Sequence, residues 1–144
     1  MSSSPPLIDL APGLSAAGNL GRDDIDVLAR AGVRTIVNNR PDNEDPGQLP
    51  AAEAKRIAEA RGVAYHHIPF TAATLTRAEV DAFEQVLAGA EQPIVVHCRS
   101  GTRSTLLWAL ARMRAGADPL ALIDQAARQG IDIAALPAIA ARLG

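Results

Sequence analysis

Three short apolar runs alternate along the chain with segments of helical periodicity, and this alternation restricts the fold more than any other feature. The runs span residues 33–37, 63–69 and 94–96, and the first and third consist mainly of valine, isoleucine and threonine. Such runs are typical of strands that are buried on both faces of a sheet. Strands that alternate with helices form a parallel sheet joined by right-handed crossovers. The sequence therefore predicts an α/β fold with a central, mostly parallel sheet flanked by helices.

Six helices are predicted around these strands. The segment 23–31 carries acidic residues in its first turn, and the segment 76–88 opens with a capping box formed by Thr76 and Glu79. The segment 103–115 is apolar on almost every side, so we expect it near the centre of the fold. The other helices are predicted at residues 51–61, 119–129 and 137–143, and a short strand or hairpin is predicted within residues 7–19.

The composition is that of a soluble globular protein and narrows the choice of partners. Its 144 residues suit one domain, 1–144, in which the Ser/Pro-rich residues 1–6 are expected to form a flexible tail. Because 14 basic residues face 16 acidic ones, neither nucleic acid nor an anionic membrane is an expected partner. The sequence has no positively charged leader, no apolar run near the ~20 residues of a membrane span, and a lone cysteine, so a cytoplasmic location is expected. The oligomeric state is left open.

The segment VVHCRSGTRS, residues 95–104, contains the only cysteine of the chain directly after the third predicted strand. In open α/β sheets, ligands bind at the carboxyl ends of the strands, where strand-to-helix loops converge. If the next helix begins just after Cys98, the loop amides and the helix dipole favour both an oxyanion and a thiolate. Such surroundings lower a cysteine pKa from ~8.5 into the range of about 3.5–7.5. Cys98 is therefore the predicted nucleophile, and the alternative is a small buried cysteine that takes no part in chemistry.

The residues after Cys98 supply the groups that an anion cradle needs. Gly101 permits a backbone turn too tight for a Cβ atom. Arg103 can hold two oxygen atoms in a bidentate contact. We expect the anion to be bound by the loop residues Arg99, Ser100, Gly101, Thr102 and Ser104, of which Ser104 or Thr102 could also hydrogen-bond the sulfur.

A second polar segment, NNRPDNE at residues 38–44, follows the strand predicted at 33–37 and should open on the same side of the sheet as the cysteine. Its carboxylates are the candidates for a general acid, and we assign that role to Asp42, with Glu44 as the other choice. Arg40 is a candidate second cation facing the substrate. The alternative is that this segment forms a turn in which Arg40 pairs with a neighbouring carboxylate.

The histidines do not indicate a metal site. His66, His67 and His97, together with Cys98, match no common zinc spacing, and the chain has no second cysteine. We therefore expect neither a metal nor a cofactor. His97 is expected to orient the cysteine loop or to tune the sulfur rather than to act as a base.

Three segments of the chain resemble a known bacterial family. LSAAGNLGRDDIDVLARAGVRTIVNNRPDNEDPGQ, AYHHIPFTAATLT and HCRSGTRSTLLWALARMRAG are similar to the beta-lactamase hydrolase-like protein, phosphatase-like domain family, which in turn is similar to dual-specificity and protein tyrosine phosphatases. The resemblance covers roughly residues 7–135. It implies a protein tyrosine phosphatase-like fold with three α/β/α layers and a cysteine-dependent hydrolase of phosphate monoesters. It also implies that Cys98 attacks to form a phosphocysteine intermediate and that Arg103 binds the phosphate.

Two features depart from the pattern of those phosphatases. Four residues separate Cys98 from Arg103 where phosphatases have five, so Ser104 stands in the register of their arginine. Loops of this length look like those of rhodanese sulfurtransferases, whose cysteine carries a persulfide. No carboxylate lies between Glu59 and Glu79, the region where related phosphatases carry an aspartic acid. Sulfur transfer and non-catalytic anion binding are therefore the alternative functions, and the expected partner is a phosphorylated or other small oxyanion substrate.

Overall fold

In the part of the chain that the structure describes, the sheet has five strands, and the strand that precedes the cysteine lies at its centre. β1 (Leu7–Ala11) and β2 (Leu14–Ala17) form an antiparallel hairpin, and β2 pairs in parallel with β5 (Ile94–His97). On its other side β5 pairs in parallel with β3 (Thr35–Asn38), which pairs in parallel with the edge strand β4 (Ala64–His67). The order β1-β2-β5-β3-β4 confirms the predicted mostly parallel sheet.

Within residues 4–144 six helices cover the sheet, and each one begins and ends within one residue of its predicted bounds. They are α1 Arg22–Arg30, α2 Ala51–Ala60, α3 Arg77–Gly89, α4 Thr102–Arg114, α5 Pro119–Arg128 and α6 Leu136–Leu143. The computed structural model describes residues 4–144; of the predicted tail, residues 1–3 lie outside this range, and residues 4–6 have no regular secondary structure. Within the described range no helix combines the length and apolar character needed to cross a bilayer.

Two apolar clusters fill the space between the sheet and its two helical layers. On one face, Ile36 and Val95 pack in the cluster that includes the buried sides of α1 and α2. On the other face, Val37 and Val96 pack with Leu107 and the other buried residues of α4. Neighbouring residues of β3 and β5 thus point to opposite faces, and both faces are covered. This three-layer arrangement explains why the central strands consist of apolar runs.

The strand predicted at 33–37 begins two residues later than its sequence pattern suggests, and the one predicted at 63–69 is limited to β4, Ala64–His67. The N–H of Val33 donates to the carbonyl of Leu28 at 3.0 Å, so Val33 still belongs to the turn that ends α1. Strand β3 begins only at Thr35, its first residue in register with β5. A β-branched residue at a helix end cannot be distinguished from a strand residue by its side chain alone.

Candidate active site

Cys98 follows directly on the central strand β5 and is fully buried. Its backbone N–H donates to the carbonyl of Ala17 at 3.3 Å, which extends the pairing of β5 with β2. Its sulfur accepts a hydrogen bond from the N–H of Gly101 at 3.1 Å. The chain therefore folds back on the cysteine within three residues, and the sulfur lies inside the loop that joins β5 to α4.

Gly101 makes this turn possible. Its φ of +93° lies in the left-handed region, and a Cβ atom at this position would come within 2.8 Å of Ile8 Cδ1. Gly101 is also the N-cap of α4, and its carbonyl accepts the N–H of Thr105 at 3.0 Å. The N–H groups of the helical residues before Thr105 have no partner inside the helix, so they are available to an anion next to the Cys98 sulfur.

Arg103 lies in the first turn of α4, and a carboxylate from a different loop holds its guanidinium. Its Nη1 and Nη2 atoms donate to Glu44 Oε2 and Oε1, both at 2.8 Å, and Nη1 also donates to the carbonyl of Phe70 at 3.1 Å. The Glu44 contact raises the pKa of Arg103, and the nearby Cys98 raises it further. The structure thus brings Cys98, Arg103 and Glu44 together.

Glu44 is ionised in this arrangement. Its hydrogen bonds with Arg103 and, secondly, with Arg40 lower the pKa of the carboxyl group from 4.5 to about 2. A carboxylate with such a pKa carries no proton to donate near pH 7. Glu44 therefore acts in this structure as a fixed counter-ion for the two arginines, a role that differs from the general acid considered from the sequence.

The contacts of Arg40 differ from the predicted ones. Its side chain is 3% exposed, and its Nε donates to Glu44 Oε1 at 3.0 Å and its Nη1 to Asn19 Oδ1 at 2.9 Å. Its Nη2 forms a further ion pair with Asp45. With all three guanidinium nitrogens bonded inside the protein, Arg40 supports the loop from behind instead of facing a substrate. The alternative interpretation, in which Arg40 pairs with neighbouring carboxylates, describes the structure.

Asp42 also lies away from its predicted place. Its Oδ1 accepts the N–H of Ala51 at 2.9 Å, so the carboxylate binds the first turn of α2. That position is favourable for an anion because the first amides of a helix lack intrahelical partners. This geometry gives Asp42 no contact with Cys98, and it does not support the assignment of Asp42 as general acid.

Asp45, which is not among the residues predicted from the sequence, connects the cysteine loop with the β3–α2 loop. Its two carboxylate oxygens accept from Arg99 Nε at 2.9 Å and Arg99 Nη2 at 3.3 Å, and the same group pairs with Arg40. Arg99 is exposed and its guanidinium pairs with Asp45, whereas its predicted role in anion binding rests on its backbone N–H and does not involve this ion pair. A signal was present in the sequence, because Asp45 directly follows the candidate carboxylate Glu44.

Ser104 is buried, and its hydroxyl bonds a residue other than the cysteine. The Oγ atom donates to Asn39 Oδ1 at 2.8 Å, and Asn39 Nδ2 in turn donates to the carbonyl of Ile68 at 3.0 Å. This chain of bonds fixes the start of α4 to the ends of β3 and β4. Thr102 remains near the loop surface, where its hydroxyl accepts from Ser100 at 3.1 Å. Ser104, which stands where longer loops carry their arginine, is one of the two residues whose hydroxyls are expected near the sulfur. Its hydroxyl instead connects the loop to the sheet.

The histidines have separate environments. Burial lowers the pKa of His97 to about 4, so its imidazole is neutral at pH 7, and its Nδ1 lies 3.4 Å from the carbonyl oxygen of Cys98. His66 and His67 are both exposed, and His67 Nε2 bonds the carbonyl of Arg40 at 2.9 Å. From the sequence, His97 is expected to orient the cysteine loop, and its contact with the Cys98 carbonyl fits that role.

Comparison with known proteins identifies the family of this chain. A family model for the beta-lactamase hydrolase-like protein, phosphatase-like domain, matches residues 7–117. The chain belongs to this family. The match includes both the β3–α2 loop and the cysteine loop of the phosphatase-like domain, and it confirms the resemblance seen in the sequence.

Two individual proteins are similar to the phosphatase-like domain in sequence. The beta-lactamase hydrolase-like protein of Xylella fastidiosa (strain Temecula1 / ATCC 700964) is 37% identical over 108 residues, which make up 74% of this chain and 25% of that protein. The chain therefore spans about a quarter of the length of this curated relative. A phosphatase candidate from Neisseria meningitidis z2491, known from a crystal structure, is 32% identical to this chain and superimposes with a TM-score of 0.82. The superposition covers 92% of this chain and 94% of that one.

Phosphatases of lower identity share the fold of the phosphatase-like domain. Kinase associated phosphatase, solved with its catalytic-site cysteine replaced by serine, is 14% identical with a TM-score of 0.74, over 99% of this chain and 98% of that one. TpbA of P. aeruginosa, solved in complex with phosphotyrosine, is 22% identical with a TM-score of 0.68, over 94% of this chain and 80% of that one. These likenesses confirm the predicted protein tyrosine phosphatase-like fold.

Proposed function

We propose that this phosphatase-like domain hydrolyses phosphate monoesters through a phosphocysteine intermediate on Cys98. The observation that carries the proposal is the joint position of three groups. The Cys98 sulfur lies in a tight loop at the N-terminus of α4, and Arg103 lies beside it with its guanidinium fixed by Glu44. A nucleophile, an anion-binding helix end and a positioned arginine are the parts that phosphoryl transfer to a thiolate requires.

The hydrogen bonds of Arg103 leave one side of its guanidinium for the substrate. Glu44 and Phe70 take up Nη1 and one proton of Nη2. The Nε–H and the second Nη2 proton remain, and together they form the bidentate edge that suits two phosphate oxygens. The first amides of α4 would hold the remaining oxygens. Glu44 thus serves as a positioning residue that aims Arg103 rather than as a group that touches substrate.

The reaction then follows in two steps. The Cys98 thiolate attacks phosphorus, a sulfur–phosphorus bond forms, and the bond from phosphorus to the leaving oxygen breaks. The leaving oxygen takes its proton from water, and the hydroxide that forms takes up the proton that the attacking water loses in the second step. A water molecule next attacks phosphorus and breaks the sulfur–phosphorus bond, which releases inorganic phosphate and restores the thiolate.

The carboxylates of the site indicate the kind of ester that it would hydrolyse. Asp42 binds the first turn of α2 and Glu44 is ionised, so neither is placed to protonate a leaving oxygen. A positioned acid usually contributes about 10²–10⁴-fold, and a poor leaving group such as an alkoxide needs it most. We therefore expect aryl phosphates, including phosphotyrosine, to be hydrolysed much faster than alkyl phosphates such as phosphoserine. The complex of TpbA with phosphotyrosine supports an aryl phosphate as the ligand class for this fold.

The test uses the whole chain and its Cys98→Ser variant with p-nitrophenyl phosphate and with phosphoserine. We expect the unaltered chain to release phosphate from the aryl ester only, and we expect the variant to release none. After acid quenching, mass spectrometry should detect one trapped phosphoryl group per unaltered chain. The serine variant removes only the sulfur, and its circular dichroism spectrum checks that the fold is retained. An active serine variant would exclude Cys98 as the nucleophile.

The short loop favours one second candidate, a sulfurtransferase in which Cys98 carries a persulfide. Sulfur transfer from thiosulfate needs no acid for an alkoxide, and Ser104, which stands in the register of the phosphatase arginine, is fully buried against Asn39. The same two proteins are therefore assayed with thiosulfate and cyanide. Thiocyanate formation that depends on Cys98, without phosphate release in the first assay, would replace the phosphatase proposal by the sulfurtransferase one.

A further inference from the structure

A groove with a volume of about 1050 Å³ runs along the edge strand β4, away from the Cys98 loop. Its floor is the strand itself, and helices α2 and α3 form its two walls. Small side chains predominate on those walls, among them Ala51, Ala52, Ala82, Val86 and Gly89. The walls therefore leave space next to the strand for a further chain segment.

The backbone of β4 presents unpaired hydrogen-bonding groups to this groove. The N–H of Ala64 donates to the carbonyl of Arg34 at 3.0 Å, and that of Ile68 donates to Asn38 at 2.8 Å, so these two amides point to β3. Backbone groups alternate in direction along a parallel strand pair. The N–H and C=O groups of Tyr65 and His67 accordingly point away from β3, where another strand can bind them.

The opposite edge of the sheet is treated differently. There Gln129, the C-cap residue of α5, accepts the N–H of Asp9 at 2.8 Å and donates to the carbonyl of the same residue. Gln125 donates to the carbonyl of Leu10 at 2.9 Å. These glutamines occupy the open side of β1 as a neighbouring strand would. One edge of the sheet is thus closed by side chains, whereas β4 remains open at the bottom of a groove.

The helices that line the groove decide between a second copy of the chain and a separate segment. Paired strands lie about 4.8 Å apart. Because α2 and α3 flank β4 on both sides, two copies that tried to pair their β4 strands would meet first at their helices. A single extended segment is narrow enough to enter between the helices, as in β-strand addition to other domains.

The charges of the groove indicate the chemistry of that segment. Arg34 Nε pairs with Glu91 Oε2 at 3.3 Å, and the Asp42 carboxylate binds the first turn of α2. Lys55, on the α2 wall, is exposed and forms no salt bridge with any residue from 4 to 144. An acidic side chain on an incoming segment would find its counter-charge at Lys55.

We propose that the β4 groove binds an extended segment of a partner protein by strand addition. This segment carries small or β-branched apolar residues and an aspartate or glutamate that pairs with Lys55. The segment forms backbone hydrogen bonds with Tyr65 and His67. This interaction is independent of Cys98 and of the reaction proposed for it.

The experiment pans a phage-displayed library of random dodecapeptides against the whole chain, and the most enriched peptide is then synthesised with a fluorescent label. We expect an extended apolar peptide with an acidic residue. Fluorescence anisotropy should show a Kd at least about tenfold higher for Lys55→Glu and for Ala52→Trp, which fills the groove. The matched controls are Arg56→Glu and Ala88→Trp, exposed helix positions outside the groove, and these should bind as the unaltered chain does.

Two further measurements test the backbone contacts. Amide resonances of Tyr65 and His67 should shift on titration with the peptide, and N-methylation of alternate peptide bonds in the peptide should abolish binding. The proposal is overturned if no peptide is enriched, if Lys55→Glu and Ala52→Trp bind normally, or if the shifted amides lie elsewhere. It is equally overturned if the chain sediments as a dimer in which the Tyr65 and His67 amides are protected from hydrogen exchange, since a second copy would then occupy the groove.

Discussion

Replacing Glu44 by glutamine tests whether this carboxylate holds Arg103 in its working position. Glu44 accepts two hydrogen bonds of 2.8 Å from Arg103 and one of 3.0 Å from Arg40. Glutamine has nearly the same shape, but it lacks the charge and turns an NH₂ group toward one of the guanidinium nitrogens. The change therefore breaks one arm of the bidentate contact and weakens the rest without leaving a cavity.

The magnitude follows from the pKa of the carboxyl group. A fall in the pKa of Glu44 from 4.5 to about 2 corresponds to about 3 kcal/mol of net stabilisation of the ionised form, in which the attraction of the two arginines outweighs the cost of burial. Because the side chain is 22% exposed, solvent screens part of this attraction. We expect Glu44→Gln to lower the free energy of unfolding at pH 7 by about 1–2 kcal/mol.

The pH dependence of stability provides a second readout. A folded-state pKa below the unfolded one means that the stabilisation is complete above the unfolded pKa and disappears as the pH falls through the folded pKa. The difference in unfolding free energy between the unaltered chain and Glu44→Gln should thus shrink between pH 4.5 and about pH 2. Urea denaturation at a series of pH values measures this difference.

Activity toward p-nitrophenyl phosphate completes the test. A loss of about 1.4 kcal/mol in the positioning of Arg103 would lower kcat/KM about tenfold. The control is Glu53→Gln, which removes the partner of the more exposed Arg22 on the other side of the β3–α2 loop and should leave kcat/KM unchanged. If Glu44→Gln raised kcat/KM, the carboxylate would be competing with the substrate for Arg103, and its assignment as a positioning residue would be wrong.

Three further substitutions give separate predictions. Asp42→Asn should lower the free energy of unfolding by about 1 kcal/mol, because the Asp42 carboxylate binds the Ala51 amide at the start of α2, and should keep aryl phosphatase activity; a loss of activity would restore Asp42 as the acid. Arg40→Lys should lower the free energy of unfolding, measured by urea denaturation, by about 1–3 kcal/mol, since an ammonium group cannot replace a buried guanidinium group with three partners. Unchanged stability would contradict this. Gly101→Ala should lower the free energy of unfolding by about 1–2 kcal/mol, because residue 101 has a φ of +93°. It should also displace the amide that bonds the Cys98 sulfur, and an unchanged kcat/KM would show that this amide has no part in the reaction.

Local patterns in the sequence were sufficient for the elements of the fold. The capping box predicted at Thr76 and Glu79 is confirmed, with Glu79 Oε1 accepting the N–H of Thr76 at 2.7 Å. The helix predicted from its apolar surface at 103–115 is the buried α4. Helix ends and buried strands depend on residues that are close in sequence, so their signals can be found without knowledge of the tertiary structure. The start of β3 was misplaced because Val33 is equally compatible with a helix end.

The partners of the charged side chains could not be obtained in this way. Arg103 and Glu44 are 59 residues apart, and Ser104 and Asn39 are 65 apart. The sequence offered Arg40, Asp42 and Glu44 within one loop, but no local rule states which of them turns toward the cysteine. The order of the strands, with β5 next to β3, brings the two loops together and determines the pairs.

By itself the sequence determined the α/β architecture, the position of Cys98 at the end of a central strand and the glycine turn that follows it, because these depend on the properties of neighbouring residues. Only the tertiary structure showed that Glu44 fixes Arg103, that Ser104 binds Asn39, and that the β4 edge lies open in a groove while glutamines close the edge of β1. Hydrogen bonds and ion pairs require atoms to meet within about 3 Å, and for residues far apart in the chain only the packing of the strands and helices sets that distance.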